Sequence, residues 1–387
     1  MGENSASPLE QVMGKRIAAS PQKRISFAVF MDLALYHPRY GYYSRPAEAI
    51  GAGGDYYTAP HLGPDFGELL AVQFVEIWQR LAEPEPFDLV EIGAGQGLLA
   101  ADILEYIHAQ APAMGAGLRY TLIERSGTLA AQQKKRLRAF DVRWQSLEAI
   151  EEQAITGVLF CNELLDALPV HRFCVENGQL QEVFVEVSED GHGFRPVLAP
   201  PSTPRLEAHL NALGLRVEDL PDGFTSEINL AALDWLTEVE RVLRRGFVLI
   251  IDYGYTANQY YRPVRSEGTL QCYYRHTLQA DPYRHIGSQD LTSHVDFTAL
   301  TQQAEALGLR TVGFTRQNFF LWALGLGERL AALGTPTSYE QLQERLRRRE
   351  ALQQLVKPDG LGEFGVLVLS KNVDEKEAGL RGLTAQL

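Results

Sequence analysis

Hydrophobic positions along the chain alternate between a pattern typical of buried strands and one typical of amphipathic helices. Apolar-rich runs that suit strands occur at residues 87–92, 120–123, 141–144, 155–161, 247–251 and 364–369. Helical spacing of apolar residues lies between them, at residues 66–81, 99–107, 129–138 and 233–243. This order of elements predicts an α/β fold built on a doubly wound sheet.

Segments outside this alternation are expected to be additions to the core. Residues 1–84 read as a helical and loop extension whose first dozen residues look frayed, and residues 171–225 read as an insertion. The insertion contains two strand-like runs around Asn177-Gly178, which predicts a hairpin with a type I′ turn. The core would then comprise residues 85–170 and 226–255. Residues 256–372 would complete the sheet and the substrate site, and 373–387 would be a flexible tail.

Composition narrows the class of protein. The 387 residues are 45% hydrophobic and carry a formal net charge of -13, so a large core is expected and nucleic acid is an improbable partner. The three widely spaced cysteines argue against a disulfide framework. No apolar stretch reaches the length of a membrane span, and no signal peptide is evident, which predicts a cytoplasmic protein. Oligomeric state cannot be read from the sequence. The spacing of His276, His285 and His294 does not favour a metal site.

A glycine-rich loop follows the first core strand. Gly93, Gly95 and Gly97 stand at alternate positions, and Glu91 precedes them. In a dinucleotide-binding loop, the third glycine instead comes three positions after the second, and a carboxylate in the loop would not favour the pyrophosphate. A cationic cofactor does gain from one, so the arrangement resembles the first motif of class I methyltransferases, which bind S-adenosylmethionine. The alternative is an ordinary tight turn.

Further cofactor contacts are expected at the ends of the neighbouring strands. Glu124 ends the second strand, where a carboxylate can accept both ribose hydroxyls, although an acid there could equally favour a helix N-terminus. Ser146 and Leu147 end the third strand, and Asn162 ends the fourth. The loop of residues 40–60, rich in glycine and tyrosine, either wraps over a ligand or is a surface turn. Its candidate contacts are Thr58 and Pro60.

Acidic residues at the same predicted edge are the candidates for catalysis. Glu163 and Asp166 follow the fourth strand, and Asp252 follows the fifth. These carboxylates could hold and orient a nucleophile beside a methyl donor, or they could belong to a solvated connection with a helix cap. His294, together with Asp296, is expected to close the site from the C-terminal region.

Several stretches together resemble the MidA family, relatives of complex I assembly factor 7, from about residue 20 to residue 371. They are Gly54–Pro60, Phe66–Trp78, Glu91–Gly97, Asn162–Pro169, Asp252–Gly254 and Gln289–Phe297. One small departure is Ala59, where the family tends to have serine. The resemblance implies a class I, Rossmann-like methyltransferase fold and S-adenosyl-L-methionine as cofactor. It also implies a protein substrate, since the mitochondrial member is similar to a symmetric arginine methyltransferase acting on a complex I subunit.

Three functions stay open on the sequence alone. The first is a protein arginine methyltransferase, for which carboxylates must hold a permanently charged guanidinium. The second is an assembly factor that binds the cofactor and a respiratory-complex subunit with little catalysis. The third is a small-molecule methyltransferase whose insertion forms a lid. The presence of Glu91 and the three glycines argues for use of the cofactor, which slightly disfavours the second.

Overall fold

The computed structural model describes residues 6–45, 58–275, 277–334 and 338–384. The strands are β1 Ile25–Ser26, β2 Phe87–Ile92, β3 Leu118–Ile123, β4 Val142–Trp144, β5 Ile155–Asn162, β6 His171–Glu176, β7 Gln179–Val187, β8 Phe194–Ala199, β9 Thr225–Ile228, β10 Leu243–Asp252, β11 Gly254–Tyr255, β12 Gln271–Tyr274, β13 Thr277–Gln279, β14 Asp290–Thr292, β15 Val295–Asp296, β16 Arg310–Arg316 and β17 Gly365–Lys371. The helices are α1 Pro8–Ala19, α2 Phe27–Tyr36, α3 Asp65–Arg80, α4 Leu98–Gln110, α5 Pro112–Ala116, α6 Gly127–Arg136, α7 Arg205–Ala212, α8 Leu230–Val242, α9 Ala257–Tyr260, α10 Phe297–Ala306, α11 Gln317–Ala323, α12 Leu326–Ala331, α13 Tyr339–Leu355 and α14 Glu375–Ala378.

A seven-stranded sheet forms the centre of the molecule, in the order β16-β17-β10-β5-β2-β3-β4. Strands β10, β5, β2, β3 and β4 run parallel, and β17 is antiparallel to both of its neighbours. The carboxyl ends of the five parallel strands therefore lie along one edge. The predicted doubly wound α/β sheet is confirmed.

Alternate residues of the strands belong to two separate hydrophobic cores, because successive side chains point to opposite faces of the sheet. On one face, Leu89 of β2 and Phe160 of β5 pack in a cluster with residues of α3, α4 and α13. On the other face, Val90 and Leu159 pack in a second cluster with residues of α8 and α10. This burial on both faces explains why the strands read as nearly continuous apolar runs.

The insertion forms a second sheet, which it shares with the N-terminal segment. Its strands have the order β1-β7-β6-β9, and β8 also pairs with β7, from Glu182 to Val187. Both residues of the β6–β7 turn, Asn177 and Gly178, have positive φ, which confirms the predicted type I′ hairpin. Ile25 pairs with Val185, so residues 1–84 and 171–225 are not structurally independent. The predicted domain boundaries stay a prediction.

Both terminal segments that the sequence indicated as frayed or flexible contain helices within the described residues. Near the N-terminus, Pro8–Ala19 form α1, in which the Ser7 and Glu10 side chains complete a capping box and three apolar side chains four residues apart are buried. The tail also folds as far as residue 384. It forms α14 and a 3-10 turn at Arg381–Leu383, and Leu380 is buried in the main core. No helix within the described ranges is both long and apolar enough to cross a membrane.

Glycine at position 157 permits the close approach of β5 to β2. A Cβ at this residue would lie 2.1 Å from the carbonyl oxygen of Asp88, and the φ of 148° is strained for other residues. We expect Gly157→Ala to lower the free energy of unfolding by about 2–3 kcal/mol. Urea denaturation followed by circular dichroism measures this change.

Gly14→Ala is the matched control. Gly14 lies inside α1 with no atom within 4 Å of an added Cβ. Alanine there should raise the free energy of unfolding by about 0.5–1 kcal/mol, because it lowers the entropy lost on helix formation. Equal effects of the two substitutions would contradict the close strand approach.

Candidate active site

A cleft opens where β2 ends and the glycine-rich loop turns into α4. Gly97, in the left-handed region, directly precedes the first residue of α4, and the first two residues of the helix line the cleft. The lining comes from the glycine loop, the start of α4, the end of β5 and the segment before α3. The lining residues are Thr58, Pro60, His61, Glu91, Gly93, Ala94, Gly95, Gln96, Leu98, Leu99, Asn162 and Glu163. Six of the predicted cofactor contacts, namely Thr58, Pro60, Glu91, Gly93, Gly95 and Asn162, are thus brought together here.

Glu91 is the buried carboxylate of this cleft. Its Oε2 accepts a hydrogen bond of 2.6 Å from the hydroxyl of Tyr120 on β3. Burial raises the pKa of Glu91 to about 7, and the Tyr120 hydrogen bond opposes that shift. A cation in the cleft would restore the ionised form, because an opposite charge favours a carboxylate. The cleft therefore suits a positively charged ligand group.

Glu124 lies beside the cleft and connects to its loop through one glutamine. Its Oε1 accepts from the amide of Ser126 at 2.8 Å, and its Oε2 accepts from Gln133 Nε2 at 3.1 Å. The same nitrogen of Gln133 donates to the carbonyl oxygen of Gly95 at 2.8 Å. Trp144 in turn donates to Gln133 at 3.0 Å. Sequence reasoning missed Gln133, a fully buried polar residue on a predicted helix, because its role depends on contacts made across three elements.

Ser146 and Leu147 are placed away from the cleft lining. Leu147 packs in the core on the α8 side of the sheet, and its carbonyl oxygen accepts from Arg241. Ser146 is exposed at the end of β4. The structure does not bring these two residues to the cleft, and their cofactor role stays a prediction. Of the tyrosine- and glycine-rich loop, residues 46–57 lie outside the described ranges.

The segment before α3 forms the opposite side of the cleft. A 3-10 turn at Ala59–Leu62 begins after Thr58, whose hydroxyl lies 2.8 Å from Nδ1 of His61. Thr58 is almost fully buried. This local contact fixes the turn so that Pro60 and His61 face the glycine loop.

A second, larger cavity of about 450 Å³ lies next to the cleft. Carboxylates and aromatic rings dominate its walls. The lining residues are Tyr43, Glu163, Asp166, Tyr253, Gly254, Tyr255, Gln271, Tyr273, Asp290, Thr292, His294, Arg316, Asp359, Gly360, Glu363 and Phe364. Glu163 lines both the cleft and the cavity, so it stands at their junction.

Glu163 occupies this junction in an unusual backbone conformation. Its φ is 51°, a left-handed value that costs a non-glycine residue of order 1 kcal/mol or more. Its Oε1 accepts from Asn162 Nδ2 at 3.0 Å, while Asn162 Oδ1 has no hydrogen-bond partner within the described residues. Burial and the neighbouring charge of Asp166 raise the pKa of Glu163 to about 8. The side chain is therefore ready to bind a cation or a proton.

Asp166 and Asp252 differ in their access to the cavity and in their hydrogen-bond partners. Asp166 lines the cavity, accepts from the Tyr253 hydroxyl at 2.7 Å, and has an Oδ1 without a partner among the residues described. Burial raises its pKa to about 6. Asp252 is fully buried, and its Oδ2 accepts from three successive amides, those of Leu164, Leu165 and Asp166. Burial and the charge of Asp166 raise its pKa, which its backbone hydrogen bonds oppose. Asp252 thus holds the loop that carries Glu163 and does not itself line the cavity.

His294 and Asp296 also have separate places. The His294 ring stacks on Tyr255 at 4.9 Å and meets Tyr253 edge-on at 5.0 Å. Burial lowers its pKa to about 4, so at neutral pH it is an uncharged wall of the cavity. Asp296 caps α10 by accepting from the amides of Thr298 and Ala299, and it does not line the cavity. Of the two residues predicted to close the site, His294 therefore lines the cavity and Asp296 caps a helix.

Sequence reasoning missed Asp290 and Tyr43 as site residues. Both line the cavity, and the Tyr43 hydroxyl donates to Asp290 Oδ1 at 3.0 Å. The two residues are far apart in the chain. Among the described residues, which exclude His276, no group of three or more His, Cys, Asp and Glu side chains could hold a metal ion.

Comparison with known proteins identifies the family and its cofactor. A family described as "Putative S-adenosyl-L-methionine-dependent methyltransferase" matches residues 69–315. The chain belongs to this methyltransferase family. Its cofactor is S-adenosyl-L-methionine, as the glycine-loop spacing and the MidA resemblance indicated. The sulfonium and amino group of this cofactor suit the buried carboxylate of Glu91 and the unpaired Asn162 oxygen.

Relatives of known name and structure resemble nearly the whole chain. It is 30% identical over 387 residues to "Protein arginine methyltransferase NDUFAF7, mitochondrial" of Rattus norvegicus, covering 93% of this chain and 83% of that protein. It is 29% identical to the Drosophila melanogaster homolog, covering 81% and 73%. A crystal structure described as a "likely methyl transferase from Burkholderia thailandensis bound to S-adenosyl-homocysteine" superposes with a TM-score of 0.80 at 29% identity, covering 98% and 97%. The predicted class I methyltransferase fold is confirmed.

Gly95 tests the cofactor cleft. An added Cβ there would meet no protein atom within 4 Å, so a side chain would extend into the cleft. We expect Gly95→Val to weaken binding of S-adenosyl-homocysteine at least about tenfold, or about 1.4 kcal/mol. Isothermal titration calorimetry measures this affinity.

Gly178→Val is the matched control, since Gly178 also has a positive φ and open space but lies in the β6–β7 turn. Both variants carry the same backbone strain, but only Gly95→Val should lose affinity. Equal affinity losses would show that the effect is one of strain and not of cleft occupancy.

The raised pKa of Glu163 predicts a pH-dependent stability. A folded-state pKa of about 8, above the ordinary value of 4.5, favours folding at low pH, and this contribution is lost as pH rises through about 8. In ligand-free Glu163→Gln, the free energy of unfolding should therefore fall less between pH 6 and pH 9 than it does in the native chain. The difference should be on the order of 2 kcal/mol after allowance for partial exposure.

Urea denaturation at the two pH values measures this difference. Glu207→Gln is the control, because Glu207 is an exposed glutamate on α7. The pH dependence of Glu207→Gln should match that of the native chain. An unchanged pH dependence in Glu163→Gln would refute the raised pKa.

Proposed function

We propose that the protein is an S-adenosylmethionine-dependent methyltransferase acting on an arginine side chain of a polypeptide. The observation that carries this proposal is the position of Glu163, which lines both the cofactor cleft and the acidic cavity. A group bound to Glu163 from the cavity side would therefore lie next to the cofactor. Positioning of this kind supplies most of the rate in a displacement reaction.

The chemistry of the cavity suits a guanidinium. Arginine stays protonated in proteins and presents a planar fork of N–H donors to carboxylates. The cavity supplies Glu163, Asp166 and Asp290 as acceptors. It also supplies the ring of Tyr253, which can contact a planar cation. A small neutral substrate would leave these acids unpaired.

The acidic side chains have separate tasks in this reaction. The cofactor supplies an electrophilic methyl group when it is bound. Glu163 would accept N–H groups of the guanidinium and aim one nitrogen at that methyl group. A new N–C bond forms as the S–C bond breaks, and the nitrogen loses one proton. The bound guanidinium would favour the ionised form of Glu163, which could then take up this proton. Asp252 holds the loop in place, and Asp166 balances the positive charge.

The relatives support a protein substrate. The rat and fly proteins are both named as protein arginine methyltransferases. The MidA resemblance adds a respiratory complex I-type subunit as the candidate target. An arginine must be exposed to enter the cavity, so the subunit would be methylated before its assembly.

Glu163→Gln tests this function directly. The substitution keeps the shape of the side chain but removes the charge that balances a guanidinium. We expect methyl transfer to an arginine-containing subunit to fall at least about 100-fold, while affinity for S-adenosyl-homocysteine stays within about threefold. Radiolabelled methyl transfer and calorimetry measure the two quantities, and Glu207→Gln should leave both unchanged.

Mass spectrometry of cells with and without the protein would identify the target through lost methyl-arginine. Equal loss of transfer and of cofactor affinity in Glu163→Gln would assign Glu163 to the cofactor. Efficient turnover of a small amine, with no methyl-arginine lost from the proteome, would instead favour a small-molecule methyltransferase.

A further inference from the structure

The acidic cavity lies next to a second depression on the surface. This depression encloses about 720 Å³ and is lined by Leu62, Arg347, Glu350, Ala351, Gln354, Lys357, Gly360, Leu361 and Phe364. Gly360 and Phe364 line the cavity as well. We call this surface the α13 groove. The cavity and the α13 groove share a wall formed by Gly360 and Phe364, so they adjoin each other.

The shared wall is a fixed turn between α13 and β17. The amides of Gly360 and Gly362 both donate to the carbonyl oxygen of Lys357, at 3.1 and 3.0 Å. Arg316 Nη1 donates to the carbonyl oxygen of Glu363 at 2.9 Å, and the amide of Gln317 donates to that of Phe364 at 2.8 Å. The wall is therefore tied to β16 and α11.

The helix on the other side of the groove is anchored too. Leu352 and Leu355 of α13 are buried in the main core, and Arg348 forms a bidentate pair with Asp65 at 2.8 and 2.9 Å. This pair ties α13 to the start of α3. Arg347, one residue earlier, is exposed and lines the groove.

Charge changes sign between the cavity and the groove. The cavity walls carry Glu163, Asp166, Asp290, Asp359 and Glu363, with Arg316 as their only cation among the described lining residues. The groove instead presents Arg347 and Lys357, with Glu350 as its acid. Lys357 is partly neutralised by Asp359 at 3.4 Å. Arg347 forms no ion pair within the described part of the chain.

We infer that the α13 groove binds the polypeptide segment next to the target arginine, and that it selects acidic residues in that segment through Arg347. This inference rests on the proposed function, because the cavity must hold the arginine. An arginine side chain can occupy the cavity alone, whereas the larger adjoining groove has room for several further residues. Leu62, Leu361 and Phe364 supply apolar contacts for them.

Leu62 connects the α13 groove to the cofactor cleft. Leu62 ends the 3-10 turn whose Pro60 and His61 line the cofactor cleft. One short turn thus contacts the cofactor on one side and the substrate segment on the other. The substrate would consequently be held against the same element that positions the methyl donor.

Two synthetic peptides test the selection of acidic residues. Both contain one central arginine, with glutamates on either side in one peptide and alanines in the other. Their binding is measured by fluorescence anisotropy with S-adenosyl-homocysteine present and at low salt, because salt screens exposed charges. The native protein should bind the glutamate peptide about five- to tenfold more tightly, and Arg347→Glu should abolish that preference.

Arg349→Glu is the matched control, since Arg349 is exposed on the same helix but does not line the groove. It should retain the preference for the glutamate peptide. Loss of the preference in both variants, or its absence from the native protein, would overturn the groove assignment. A preference that depends on Arg347, combined with no methyl transfer to either peptide, would support the groove and count against the proposed function.

Discussion

The site depends on the backbone hydrogen bonds that the carboxylate of Asp252 accepts. Asp252 ends β10, and one of its oxygens accepts from three successive amides of the loop that follows the neighbouring strand β5. Its other oxygen accepts from the amide of Tyr253. Two parallel strands alone would leave this loop free to adopt many conformations. Because the amides converge on one buried acid, Glu163 and Asp166 are presented to the cavity in a defined arrangement.

That arrangement is energetically unfavourable for several of the residues that form it. Glu163 has a left-handed backbone, and three acids lie close together with raised pKa values. A bound guanidinium would relieve the repulsion by supplying the missing positive charge. Under the proposed function, the cost to the folded state would therefore favour binding of a cation. Strained residues commonly cluster at functional sites.

Much of the fold could be predicted because the information was local. The core strands are buried on both faces and read as apolar runs, and the glycine loop carries its spacing in a few consecutive residues. The role of Asp252 was not predictable in detail, since its partners come from a strand about 90 residues earlier. Tyr43 and Asp290 were missed for the same reason. By contrast, the sequence does contain a helix-start signal for α1, in Ser7, Pro8 and Glu10. It was overlooked because the helix has few apolar residues.

The pairing of β1 with β7 has a consequence for the order of folding. Ile25 and Val185 are about 160 residues apart, and the strands that form the cofactor cleft lie between them in the chain. During synthesis, β1 must therefore wait while β2, β3, β4 and β5 are made and can begin to associate. Contacts of such long range form late and slowly. The second sheet would accordingly be completed after the strands of the main sheet are already partly assembled.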